Sequence, residues 1–207
     1  LLTEPEYLQV KVPDINSILA DKLTAFAPHT TGVLIGTGKD LEIMKQMFDV
    51  YSLICVFDNF NAVYKTYYRI VEDEIAYRGI EVTAKDVLMD TYQAAICIAS
   101  RGIYCTEDYQ SYLKGIRSLA GHIYSLDYSA EVASTYAPAI MYMSACIIAN
   151  VPFERIENAD DYLKKQHGDR TVAKALRSLK KRNPLAYAYS IKAEELINSI
   201  TNAERNL

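Results

Sequence analysis

The sequence predicts a mainly α protein, an array of about eight or nine helices preceded by one short strand. Three observations carry that expectation. From Asp14 onward, apolar residues recur at the three- and four-residue spacing of amphipathic helices. Capping residues and glycine or proline breakers fall at the joints between these periods. Only "EYLQVKVP" alternates, with Tyr7, Gln9 and Lys11 set against Leu8, Val10 and Val12 before Pro13 ends the run. No later stretch reads as a strand to pair with it. The chain opens on Leu1 in the manner of a sequence entered part-way, so the expected sheet is assigned to a preceding N-terminal part.

The helices follow in order. "DINSILADKLTAF" has Asp14 as a cap and an apolar stripe of Ile15, Ile18, Leu19, Leu23 and Phe26, and Pro28 stops it. "HTTGVLIGTGK" is a loop carrying Gly32, Gly36 and Gly38. The second helix spans about residues 40–57, and the third about 59–78, ending at Gly79. Thr83 caps a fourth that ends near Gly102. Thr106 opens a fifth through Tyr124, and Asp127 or Ser129 opens a long apolar sixth through Ala149. "FERIENADDYLKKQHG", "RTVAKALRSLKKRN" and the segment after Pro184 complete the array. The best candidate for a domain boundary is "DNFNA", residues 58–62.

Composition narrows the function classes. A chain of 207 residues makes one domain or two small ones. The formal net charge of −4 gives no general basic excess toward nucleic acid. Cys55, Cys97, Cys105 and Cys146 form no CxxC pair, and His29, His122 and His167 are far apart, so neither a disulfide frame nor a zinc site is expected. These read as reduced thiols of a cytoplasmic protein. The richest apolar run, residues 137–151, is broken by Pro138, Tyr142, Ser144 and Asn150 and falls short of the roughly 18 residues of a membrane span, so no membrane partner is expected. Tyrosine occurs 17 times, mostly at helical spacing, which favours semi-buried packing over a base-stacking platform. "RSLKKRN", with Arg170 and Lys174, is the one basic concentration; it reads first as a solvated helix face and second as a phosphate contact.

Two residues stand out on a wheel of about 100° per residue. Lys22 falls inside the apolar face of the first helix, between Ile18 and Phe26. A lysine there must find a partner, reach an opening or lose its proton. On the second helix Leu41, Met44, Phe48, Tyr51 and Cys55 form the expected apolar face, with Lys45 and Asp49 along one flank at i and i+4. The glycine-containing loop makes the two helices a hairpin, which brings Lys22 and Asp49 toward one cleft. A lysine in a pocket suits a phosphate as a point charge, and a carboxylate beside it orients the lysine or serves as a base. "GTGK" lacks the Lys-Ser/Thr continuation of a P-loop and reads as a flexible turn.

"ILADKLTAF … GTGKDLEIMKQMFDVYSL" resembles the downstream motifs of the AbiEii/AbiGii family, nucleotidyltransferase-like toxins of toxin–antitoxin and phage-abortive-infection systems. The likeness covers roughly residues 7–55. It places the family's lysine at Lys22 and its aspartate at Asp49, while Lys45 stands for the usual arginine and Gln46 for a frequent acid. The resemblance implies transfer of NMP from an NTP, with Mg²⁺ as cofactor, tRNA as one acceptor and an antitoxin protein as a partner. It implies that residues 1–58 are the tail of a nucleotidyltransferase core and 59–207 a C-terminal helical domain. Lys22 and Asp49 become catalytic residues, and Lys22 and Lys45 nucleotide-binding ones. The family's metal-binding "GS…DxD" motif is absent from this sequence and is expected upstream. The alternative is a helical protein-interaction module without catalysis, in which Lys22 is a snorkelling core lysine.

Overall fold

The computed structural model describes residues 10–205. They form α1 (Ile15–Ala25), α2 (Asp40–Val56), α3 (Phe60–Arg78), α4 (Ala84–Ala99), α5 (Thr106–Ala120), α6 (Ala130–Ala149), the one-turn α7 (Asp160–Leu163), α8 (Arg170–Leu176), the one-turn α9 (Leu179–Arg182) and α10 (Pro184–Arg205). The mainly α class is as expected. The strand is not: among the described residues there is none, and residues 10–13 are irregular, with Val10 and Val12 at 75% and 77% exposure. Residues 6–9 of the expected strand lie outside the described residues. The alternation at Val10 and Val12 fails because no second strand offers hydrogen bonds and no core accepts the side chains.

Local chemistry explains most boundaries. Asp14 accepts from Ser17 N at 2.7 Å at the start of α1. Asn59 caps α3 through Ala62 N, and Gly79 ends α3 in the left-handed region at φ 62°. Thr83 and Asp86 form a reciprocal capping box on α4. Ser129 rather than Asp127 caps α6, accepting from Val132 N at 3.3 Å, and Asn150 closes it at φ 51°.

The core is layered around α6, which packs against α4 on one side and α10 on the other. By length and composition α6 is apolar enough to cross a membrane, longer than the broken run expected from the sequence, but most of it is buried inside the protein. At the other end α1 packs on α2, α3 and α4, and α2 also meets α5 and α6. Helices α2 and α5 approach closely at Gly115, where a Cβ would stand 2.1 Å from the Asp40 carbonyl oxygen.

The region after α6 departs from the expected helix. "FERIENADD" stays irregular because tertiary contacts hold it better than a helix would. Phe153 packs against Phe57, Tyr142 and Tyr189. The Arg155 guanidinium donates to the Ile54 and Phe57 carbonyls at 3.1 and 3.0 Å, closing the C-terminal end of α2. Likewise "RTVAKALRSLKKR" divides at Arg177–Ser178 into α8 and α9.

Asn16 fixes the junction of α2 and α3 to α1. Its buried amide donates to Asp58 Oδ1 at 2.9 Å, and its oxygen accepts from Asp58 N and Asn59 N at 3.3 and 3.1 Å. Asn16→Ala strands these groups and is expected to cost about 2 kcal/mol in urea unfolding. A loss under about 0.5 kcal/mol would show that the junction holds itself.

Candidate functional site

The helical hairpin α1–α2 forms, and it brings Lys22 and Asp49 together. Lys22 Nζ lies 3.1 Å from Asp49 Oδ2 and donates to Gln46 Oε1 at 3.0 Å. The side chains are 27% and 45% exposed, so the pair sits at the rim of the helix interface with one side open to water. Gln46 and Asp49 are three residues apart on α2 and therefore share a face.

Both helices are rotated from the expected faces. On α1 the buried residues are Asn16, Leu19, Ala20, Leu23 and Thr24, so Ile18 and Lys22 lie at the edge of the stripe rather than within it. On α2 the buried stripe is Ile43, Met44, Met47, Val50 and Ile54, whereas Cys55 is exposed. Phe48 and Tyr51 instead join a half-buried aromatic cluster with Tyr128 and Tyr136, with Tyr51 and Tyr136 stacked at 3.7 Å. Small and polar residues of α1 are buried because three helices crowd it, a fact its own periodicity does not carry. Lys45 is exposed and has no partner among the described residues; the expected i, i+4 pair with Asp49 gives way to Lys22.

The loop between the helices is held rigidly. Gly32 N donates to the Ala27 carbonyl at 2.8 Å, and a Cβ on Gly32 would meet Ala25 O and Ala27 N at 2.5 Å, so the chain doubles back against the end of α1 only with glycine there. Asp90 of α4 anchors the same loop. It accepts from His29 N, His29 Nδ1 and Thr30 Oγ1 at 2.8, 2.9 and 2.8 Å. His29 Nε2 reaches Asp108 Oδ2 of α5 at 3.2 Å. With a carboxylate at each ring nitrogen, both nitrogens act as donors, which is the imidazolium form. Partial burial works against that charge, but the Asp90 hydrogen bond and charge, joined by Asp108, outweigh it and hold the pKa above the ordinary 6.5.

A second histidine cluster lies at the far side of the fold. His167 Nδ1 is 2.5 Å from Glu194 Oε2, and His167 Nε2 is 3.2 Å from Ser190 Oγ. The order Ser–His–Glu has the contacts of a hydrolytic triad. However, Ser190 is wholly buried and its hydroxyl donates to the Tyr187 carbonyl at 2.7 Å, so no substrate reaches it. Glu194 also accepts from Asp169 N at 2.9 Å. Burial raises its pKa, yet the His167 and backbone hydrogen bonds prevail and hold it below the ordinary carboxyl value. The cluster pins the loop before α8 onto α10.

No family model, curated protein or solved structure matches this chain. Its chemistry must therefore be argued from its own residues.

Neither histidine cluster was legible from spacing, because the partners are 61 and 27 residues away. Asp90 did leave a signal: it is the one acid within the apolar run "VLMDTYQAA", where a charge needs a partner. The four cysteines are free; Cys97 and Cys146 are buried, and burial pushes the Cys146 thiol up to about 12, which makes it inert.

The Mg²⁺ that the family resemblance implies does not fit the residues here. Among the described residues no three His, Cys, Asp or Glu side chains come together as a cation site. The carboxylate of Asp49 is turned to an ammonium group. No step is routed through a metal below.

Proposed function

We propose that this chain is the C-terminal portion of an AbiEii-like nucleotidyltransferase, a toxin that transfers NMP from an NTP to an acceptor such as tRNA and is held in check by an antitoxin protein. The observation that carries the proposal is the 3.1 Å contact between Lys22 and Asp49, whose helices are joined by a loop pinned from two others. In this reading the acceptor hydroxyl attacks the α-phosphorus and pyrophosphate leaves. Lys22 meets the negative charge of the triphosphate, while Asp49 and Gln46 fix the direction of its ammonium group. Two of the three ammonium donors are held by the protein, which leaves one for a phosphate oxygen. Lys45, exposed on α2, supplies a further charge near phosphate. The carboxylates for the metal come from sequence other than that described here.

The test is transfer of label from α-³²P-NTP to bulk tRNA by the protein of the complete reading frame. Asp49→Asn keeps the size of the side chain but releases Lys22. It is expected to reduce transfer about tenfold to a hundredfold with the unfolding midpoint unchanged. Full activity in Asp49→Asn would remove Asp49 from the site.

The second reading is the non-catalytic helical interaction module. It is favoured by the fact that Lys22 already has two partners within the fold. In that case Lys22→Met has no functional consequence, and no nucleotide is transferred.

A further inference from the structure

Helices α8 and α9 carry six cations, Arg170, Lys174, Arg177, Lys180, Lys181 and Arg182, with no acid among them, in a protein whose net charge is −4. The fold neutralises little of this. Arg182 Nη1 reaches Glu131 Oε1 at 3.4 Å, and Lys180 Nζ lies 5.6 Å from the centre of the Tyr187 ring. Among the described residues Arg170, Lys174, Arg177 and Lys181 have no ion-pair, hydrogen-bond or ring partner.

Lys174, Arg177 and Lys180 line one recess of about 440 Å³, together with Gln166, His167 and Tyr187. The acids flanking this stretch of chain are committed elsewhere. Glu194 holds His167 and Asp169 N, and Asp169 caps α8 through Thr171 N and Val172 N at 2.7 and 2.9 Å. Three like charges around one recess raise the energy of the protein, and an anion in the recess lowers it. The volume falls within the roughly 300–1,000 Å³ of small-ligand sites.

We propose that this recess binds a small phosphate-bearing ligand. Arg177 offers paired N–H donors to two phosphate oxygens, Lys174 and Lys180 act as point charges, and the Gln166 amide adds a neutral donor. The His167–Glu194 pair supports the floor by fixing the 166–169 loop on α10. The site is separate from Lys22 and Asp49 and does not depend on their role. Lys174 and Arg177 also border a neighbouring recess of about 360 Å³ with Ile103, Ser178 and Lys181, so the assignment to the Lys180 side is itself testable.

The probe is inorganic pyrophosphate, titrated calorimetrically into this chain at near-physiological salt. The expected result is saturable binding at one site, weakened about tenfold or more by Lys174→Gln with Arg177→Gln and by Lys180→Gln alone. Lys22→Ala, Lys181→Gln and Arg117→Gln leave it unchanged. Without ligand, the Lys174/Arg177 double variant melts at the same temperature as the parent or higher, since a repulsive cluster is relieved; this separates lost binding from lost folding. Inorganic phosphate against pyrophosphate then distinguishes a single-phosphate ligand from a diphosphate. Absence of saturable binding overturns the proposal. So does loss on Lys181→Gln but not Lys180→Gln, which moves the site to the other recess. So does tight binding of a short single-stranded RNA that pyrophosphate fails to displace, which makes the basic stretch a nucleic-acid face.

Discussion

Lys22→Ala in the complete protein is expected to lower labelled-nucleotide transfer by about a hundredfold or more while leaving the fold intact. The two effects separate because they draw on different energies. In transfer, an ammonium group held beside the triphosphate compensates charge that no water replaces once the site closes, and loss of one such donor costs about 3 kcal/mol in the transition state. In folding, the same group makes a rim contact. Asp49 is 45% exposed, and a pair so open contributes at most about 1 kcal/mol after solvent screening. Lys22→Met replaces the stem but not the charge, and should match Lys22→Ala in transfer and the parent in stability. Full transfer by Lys22→Met would remove Lys22 from the chemistry. A stability loss above about 3 kcal/mol would instead make the pair a structural element.

Asp90→Ala is expected to be the most damaging single change to the site's scaffold, at about 3 kcal/mol or more in urea unfolding. Asp90 is nearly buried and receives the His29 backbone N–H, the His29 ring and the Thr30 hydroxyl. Its removal leaves three donors facing alanine and frees the loop that sets the angle between α1 and α2. Transfer should fall along with stability, in contrast to Lys22→Ala. The His29 interaction also makes stability depend on pH. Its pKa is raised in the folded state above the unfolded value of 6.5. The stabilisation is therefore complete below pH 6.5 and is lost as pH rises through the folded value. The urea midpoint of the parent should decline between about pH 6 and pH 9, and His29→Gln should flatten that decline. An equal decline in His29→Gln would assign the pH dependence to other groups.

The relation between sequence and structure differs from element to element. Asp14, Asn59, Thr83 and Ser129 act within three residues of themselves, so the caps and helix starts they dictate are readable from the chain. Gly79 ends α3 for the same local reason. The α5 boundary was overrun, since α5 stops at Ala120 and not at Tyr124. The faces were harder to read. The wheel placed Lys22 inside the apolar stripe of α1 because Ile18 and Phe26 bracket it, but Ile18 lies at the edge and the buried polar Asn16 and Thr24 belong to the centre. Asn16 is satisfied there only by Asp58 and Asn59, 42 and 43 residues on.

The sequence by itself determined that the protein is mainly α, where most of its helices begin, and that Lys22 and Asp49 lie on consecutive helices of one hairpin. These follow from hydrogen bonds and periodicities that act within a turn or two of helix. Only the tertiary structure decided that Lys22 takes Asp49 and Gln46 as partners and leaves Lys45 in water. It alone joined His29 to Asp90 and Asp108, buried the Ser190 hydroxyl beside His167, and gathered Lys174, Arg177 and Lys180 around one recess. Those outcomes depend on which remote helices crowd a given face. Burial and charge compensation are properties of the packed neighbourhood, to which the residues of any one segment contribute only part.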